Sequence, residues 1–332
     1  MPGWREQFIF RPGPEPEPGP PPVISSKKIV SAVWSVSGVT AGHRPAWGRG
    51  TLAWDNGVVV VPADNHVHSE WSYDTTDQAS MTGACERALD VGVPAIAFTE
   101  HLDFTRWSAA DPGRAAGLEP RHRSRIAPLD VTRYLAAIDE CRQRFPDLRI
   151  LSGLETGEPH LFAASADAVA GANHFDRILG SLHAVPVRGR LAGLPAMFGM
   201  FGPDEVMRRY FGELLRLIQG SDLFQVLAHL DFARRYWPPS AGPYEEKAFE
   251  DEYRTVLRAL AESDRALEVN TKSPLASVEL LGWWRDEGGR AVSFGSDAHQ
   301  DWRVGDRFDV AVDVVEAAGF RPGRDRYDFW RR

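Results

Sequence analysis

Residues 58–68 read Val58-Val59-Val60-Val61-Pro62-Ala63-Asp64-Asn65-His66-Val67-His68. Four consecutive valines are a short buried-strand signal, and the polar cluster follows at the C-terminal end of that signal. In an extended chain, residues two apart point to the same side, so the imidazoles of His66 and His68 aim at one point. Whether this is an isolated feature or part of a constellation depends on what the other strands carry at the same end.

Working outward, apolar strands alternate with amphipathic helices. Met81, Ala84, Cys85, Ala88 and Leu89 fall at helical spacing, and Gly92 follows as a stop. The second strand is Ala95 to Phe98. Asp130 caps a helix bearing Val131, Tyr134, Leu135 and Ile138, ended by Pro146. The third strand starts at Arg149 to Leu151, and a small-residue helix from Phe162 to Ala172 leads to the fourth, Arg177 to Leu179. Pro203 opens a helix carrying Val206, Tyr210, Leu214 and Leu217. The fifth strand, Phe224 to Leu227, precedes a long helix from Tyr244 to Ala261. The sixth, Ala266 to Val269, leads to a helix with Val278, Leu281 and Trp284, and the seventh, Ala291 to Phe294, to a last helix from Phe308 to Ala318. Such alternation implies parallel strands with right-handed crossovers. About seven units favour an α/β barrel over an open sheet.

A chain of 332 residues fits one large barrel domain, and 43% hydrophobic with 25% charged residues is ordinary globular composition. Thirty-eight basic against 46 acidic residues leave a net charge of −8, which argues against nucleic acid as the main partner. Cys85 and Cys141 are too few for a disulfide framework and are expected as buried free thiols. No apolar run reaches the roughly 18 residues that a membrane span needs. Lys27-Lys28 with Ile29 to Gly42 imitates a poor signal peptide, but a proline-rich segment lies in front of it, so a cytoplasmic enzyme is expected. Pro12 to Pro22 is dominated by Pro, Glu and Gly, and residues 1–57 are expected as a poorly packed extension before a catalytic domain at 58–332. Nothing in the sequence signals an oligomeric state.

The strand ends carry the chemistry. They read Thr99-Glu100-His101, Gly153-Leu154-Glu155, Gly180-Ser181-Leu182-His183, Ala228-His229-Leu230-Asp231, Glu268-Val269-Asn270 and Gly295-Ser296-Asp297-Ala298-His299. In a parallel barrel these ends open on one face, where active sites assemble. One histidine at a strand end is usually structural, but six of the chain's ten gather there. Imidazoles with carboxylates and no thiolate suit Zn, Mn or Fe, and the donors exceed what one ion takes, so two or three divalent ions are expected. With Asp74, Glu155 and Asp297 ionised, three such ions and a bridging hydroxide leave a charge of about +2, which a phosphate monoester dianion balances. Phosphoester hydrolysis is the reaction that these residues favour.

As a set, Asn65-His66-Val67-His68-Ser69 and the five later motifs at 99–101, 153–155, 180–183, 229–231 and 295–299 resemble the successive motifs of the PHP (polymerase and histidinol phosphatase) superfamily over about residues 62–305. The resemblance implies a distorted (β/α)7 TIM-like barrel with a trinuclear metal site. The length and the run Glu268 to Thr271 look most like stand-alone histidinol-phosphate phosphatases of histidine biosynthesis. By resemblance, His66, His68 and Asp297 hold one ion, and Glu155 bridges it to a second completed by His183 and His229. His101 and His299 hold the third, with Asp74 where many relatives place a histidine and with Tyr73 or Asp77 as neighbours. Glu155, Asp297 and His299 are then the catalytic core.

Arg234 and Arg235 offer a guanidinium that can clamp a phosphate, against a solvated loop charge as the plain reading. Glu158 and His160 are candidates either to contact substrate or to hydrogen-bond a metal ligand from behind, with a surface helix start as the alternative for Glu158. Asn270 either binds substrate or bonds its own barrel rim. Trp283 and Trp284 read as core and surface rather than a stacking platform. The expected partner is a small phosphorylated substrate, L-histidinol phosphate first and a nucleotide or other small phosphate second. An amidohydrolase-type barrel ranks lower, because it commonly needs a bridging lysine and none occurs between Lys28 and Lys247. A non-catalytic PHP module ranks lower still, because the motifs are intact apart from the Asp74 position.

Overall fold

The computed structural model describes residues 52–54, 57–107, 128–272 and 274–332. The proline-rich stretch and the Lys27 to Gly42 segment lie outside the described residues. All described residues belong to one compact unit.

Strands β1 (Leu52–Trp54) and β2 (Gly57–Val59) pair as an antiparallel hairpin apart from the main sheet. The valine run therefore does not form the first barrel strand, as the sequence suggested. That strand is β3 (Asp64–Val67), which contains the first histidine itself. Helix α1 (Met81–Val91) is capped by Ser80, whose side chain accepts from Gly83 N, and stops at Gly92 with φ 77°. Strand β4 (Ala95–Leu102) is buried along its whole length, as parallel strands covered on both faces are. After α2 (Phe104–Trp107), Asp130 caps α3 (Val131–Arg144) by accepting from Arg133 N. From α3 the buried Tyr134 hydroxyl donates to Phe98 O at 2.8 Å and accepts from Gly153 N at 2.9 Å, tying β4 to β5 (Arg149–Gly157).

Helix α4 (Ala163–Ala172) leads to β6 (Arg177–Ser181). Next comes a hairpin that the sequence reading did not contain, β7 (Ala184–Val187) and β8 (Arg190–Gly193). Its turn residues Arg188 and Gly189 both have positive φ, the requirement of a type I′ turn, but arginine in place of asparagine hides that signal. Helices α5 (Leu194–Met200) and α6 (Pro203–Gly220) follow; α6 buries Val206, Tyr210, Leu214 and Leu217 as its spacing predicts. The short β9 (Val226–Leu227) precedes α7 (Glu250–Glu262), which starts later than expected because Glu246–Phe249 forms a 3₁₀ turn. Then come β10 (Ala266–Asn270), α8 (Val278–Asp286), β11 (Ala291–Gly295), α9 (Phe308–Ala317) and β12 (Trp330–Arg331). In α8 both Trp283 and Trp284 are buried, whereas Val278 is exposed.

The sheet runs β12-β11-β10-β9-β6-β5-β4-β3. Seven strands, β3, β4, β5, β6, β9, β10 and β11, are parallel, and β12 adds to β11 antiparallel. The first and seventh parallel strands meet beyond their ends through a Val67–Ala298 bridge. There Asp297 N donates to His66 O at 2.8 Å and His68 N to Ala298 O at 2.9 Å. This is the distorted seven-strand barrel, and its curl brings the C-termini of the seven parallel strands to one rim. Cys85 and Cys141 are free and buried. Among the described residues no helix is long and apolar enough to cross a membrane.

Candidate metal centre

Glu155, at the end of β5, sits at the middle of the rim and is almost fully buried. Its two oxygens face different imidazoles. Oε2 lies 3.4 Å from His66 Nε2, 3.3 Å from His68 Nε2 and 3.1 Å from His101 Nδ1. Oε1 lies 3.2 Å from His183 Nε2 and 2.7 Å from His229 Nε2. Asp297 Oδ1 approaches the first group, 3.8 Å from His68 Nε2 and 4.0 Å from His66 Nε2. Asp74 Oδ2 is 3.2 Å from His101 Nε2 and 3.1 Å from His299 Nε2. All nine residues expected at the metals are thus brought together.

The far side of each ring decides which nitrogen faces inward. His66 Nδ1 donates to Glu268 Oε1 at 2.6 Å, leaving the Nε2 lone pair inward. The Ser72 hydroxyl has one proton, given to Glu100 Oε2 at 2.5 Å, so it accepts from His101 N and from His68 Nδ1. His68 Nε2 is therefore also a bare acceptor, yet it lies 3.1 Å from His66 Nε2. Two lone pairs facing each other at this distance need a proton or a metal ion between them. In metal-free protein His66 carries that proton: burial opposes it, but Glu268, Glu155 and Asp297 outweigh burial and hold His66 well above its ordinary value. A metal ion would displace the proton. Neighbouring ligands on one ion with bonds of about 2.0–2.1 Å stand about 3.0–3.4 Å apart, the spacing seen here. The buried His101 Nδ1 lies 3.1 Å from Glu155 Oε2 without hydrogen-bonding geometry. The donor set fits divalent metal, and four overlapping groups of three have all their ligand atoms within 4.8 Å of one another.

Electrostatics agree with that fit. Burial alone would raise the Glu155 carboxyl, but His66, His101 and His183 outweigh it and hold it well below the usual range. Burial likewise opposes ionisation of Asp297, and Lys272, Arg235 and His66 reverse the outcome. Burial lowers His183, yet Glu155 and Asp103 push it up to about 10. His68 falls well below its ordinary value through burial and the neighbouring His299 and His101. Both His229 and Asp297 have positive φ, strain that functional sites tolerate when the surroundings hold it. Here Glu268 Oε2 accepts from His229 N at 2.6 Å, and His66 O accepts from Asp297 N. Gly295 cannot be otherwise: a Cβ there would collide with Glu268 Oε1 and lie 2.6 Å from His66 Cβ.

The expected substrate contacts separate. Arg235 reaches the site, its NH2 3.0 Å from Asp297 Oδ2 and 3.0 Å from Asn270 Oδ1. Arg234 turns away to Glu246 at 2.6 Å and Asp231 at 3.3 Å. Asn270 stands on the rim and donates to Glu268 and Asp297. Glu158 is neither a surface residue nor at the site mouth: it is buried and accepts from His183 N, Ala184 N and the Thr105 hydroxyl. It holds the main chain at His183 and Ala184 from behind. His160 is spent on buried Glu213 at 2.8 Å, on the α6 side. Four participants were not expected: Glu268, Glu100, Asp103, whose Oδ2 lies 3.5 Å from His183 Nδ1, and Lys272. For three of them the signal was the same two-residue spacing, in Glu268-Asn270-Lys272 and His101-Asp103; Glu100 falls outside it.

Residues 64–272 match the family described as the PHP domain. The chain belongs to the PHP family. Among curated members, it is 27% identical to the histidinol-phosphatase of Lactococcus lactis over 77% of this chain and 91% of that one. It is 33% identical to a probable histidinol-phosphatase of Thermotoga maritima over 73% of this chain and 86% of that one. Its fold is that of the Lactococcus lactis histidinol phosphate phosphatase crystallised with zinc, L-histidinol and phosphate. That structure has a TM-score of 0.67 and 24% identity, with 79% of this chain and 95% of that one covered.

Proposed function

We infer that this PHP protein is a metal-dependent histidinol-phosphatase, which hydrolyses L-histidinol phosphate to L-histidinol and phosphate. The observation that carries the reading is Glu155, one buried carboxylate with each oxygen facing its own group of inward imidazoles. The similarity to proteins named histidinol-phosphatase, over most of their length, supports the choice of substrate. On this reading His66, His68 and Asp297 hold one divalent ion, Glu155, His183 and His229 a second, and His101, His299 and Asp74 a third, with Zn, Mn or Fe as the candidates. Bound there, the ions supply Lewis acidity toward the phosphoryl oxygens and toward the attacking water.

The chain's own residues set the geometry. Glu268 and Ser72 fix the tautomers of His66 and His68 so that both present Nε2. Asp103 turns His183 inward, and Glu158 holds its main chain. Arg235 supplies a planar pair of donors at the phosphate, beside Asp297. Residues 58–332 form the catalytic domain on this reading, and a charged biosynthetic substrate makes the enzyme cytoplasmic. The test is phosphate release from L-histidinol phosphate by Mn- or Zn-reconstituted protein, beside a panel of nucleotides and other phosphomonoesters. A strong preference for histidinol phosphate is expected. Equal weak activity across the panel overturns the substrate.

A further inference from the structure

The barrel closes across a seam that no strand ladder bridges. Strand β3 is one edge of the sheet, and β11 pairs with β10 and β12 rather than with β3. Among the described residues, the main-chain bonds across the seam join His66 and His68 to Asp297 and Ala298, past the end of β11. A side chain adds to them. Asp64, the first residue of β3, is fully buried. Its Oδ1 accepts from Ser296 N at 2.9 Å, and its Oδ2 accepts from Gly305 N at 3.0 Å. His66 N adds a longer contact to Oδ1 at 3.4 Å.

Ser296 and Gly305 bracket residues 297–304, which include Asp297 and His299. One carboxylate thus grips both ends of the loop that bears two of the expected ligands. Its own strand places His66 and His68 two and four residues further on. The loop also carries strain that its surroundings must hold, since Asp297 has φ 51° and Gly305 has φ 68°. Amide bonds to a buried carboxylate belong to the stronger, charge-assisted class. They use no donor atom that a metal needs, so they hold the loop whether or not ions are bound.

We propose that Asp64 is a positioning residue, a clasp that sets Asp297 and His299 in register with His66 and His68 before metal binds. The proposal rests on the metal-centre reading above and is independent of the substrate. Asp64→Asn keeps the shape but leaves one oxygen, so its amide nitrogen opposes either Ser296 N or Gly305 N, donor to donor. Ions that depend on Asp297 or His299 should feel this, and the ion at His183 and His229 should not. Two measurements on the full-length chain test it. Residue-resolved hydrogen exchange of the metal-free, unaltered protein should show the Ser296 and Gly305 amides at least about a hundredfold slower than in an unstructured peptide. Titration of Zn or Mn against a competing chelator, with metal per chain from mass spectrometry, should show that Asp64→Asn keeps the affinity of one ion and weakens the rest about tenfold or more. All ions weakened alike alongside a lower melting temperature is what a merely structural residue would give, and it overturns the proposal; so does unchanged affinity for every ion. Exchange needs no variant, so a failure of Asp64→Asn to fold leaves the decision to it: Ser296 and Gly305 amides as fast as in an unstructured peptide also overturn the clasp. If the unaltered protein binds no divalent ion, the metal-centre reading fails while exchange still decides the clasp.

Discussion

Replacing Glu268 by glutamine removes one charge and reverses one hydrogen bond without changing the shape of the side chain. Glu268 accepts three hydrogen bonds: from His66 Nδ1 at 2.6 Å, from His229 N at 2.6 Å and from Asn270 Nδ2 at 3.1 Å. Glutamine has a single oxygen, so its amide nitrogen must face either His66 or His229. Facing His229 N, it opposes donor to donor in a buried site. Facing His66 Nδ1, it forces the proton onto Nε2 and removes the inward lone pair. Either way a metal-holding imidazole loses its support, and such outer-shell losses cost about 10–100-fold in metal affinity. The assay is metal affinity measured against a competing chelator, with circular dichroism to show that the barrel is intact. Affinity within twofold of the unaltered protein in a folded Glu268→Gln variant would refute the tautomer argument.

Other outcomes follow from the same geometry. Gly295→Ala should lower stability by about 1–3 kcal/mol through overpacking against Glu268 and His66, seen as a drop in melting temperature together with weaker metal binding. Arg235→Ala should raise KM about tenfold or more, while Arg234→Ala should leave KM within threefold, since Arg234 is engaged by Glu246 and Asp231. His160→Ala should cost about 1–3 kcal/mol of stability, because it strips a partner from buried Glu213, yet leave KM within about twofold. In metal-free protein, burial opposes the charge on His183, but Glu155 and Asp103 hold its pKa at about 10 against an ordinary 6.5. Its stabilising contribution is therefore full below pH 6.5 and is lost as pH rises through about 10. The proton it holds at pH 8 must leave when metal binds, so calorimetry in buffers of different ionisation enthalpy should register proton release on loading; none would contradict the assignment.

Much of the barrel was legible because its strands obey two simple rules. Buried parallel strands read as short apolar runs, as at Ala95 to Phe98 and Ala291 to Phe294, and their ends carry the polar residues. The same rules misplaced the first strand, since the valines at 58–61 are more apolar than Asp64–Val67, which hydrogen bonding and burial make the true strand. The β7–β8 hairpin escaped because Arg188-Gly189 is not a customary turn pair, and β12 because two residues cannot carry a period. At the site, the inward residues were readable from two-residue spacing. Which of Arg234 and Arg235 points inward was not, because a 3₁₀ turn separates neighbours by an angle that sequence alone does not set. Which role Glu158 and His160 take was open for a related reason: their partners, His183 N and Glu213, come from distant elements.

The most direct measurement is metal content and phosphate release, taken together, for the unaltered protein and for Glu155→Ala. The account predicts two or more ions per chain and hydrolysis of L-histidinol phosphate in the first. In the second it predicts loss of more than one ion and abolished turnover, because both oxygens of Glu155 face donor groups. A folded Glu155→Ala variant with full metal content and retained hydrolysis would contradict it.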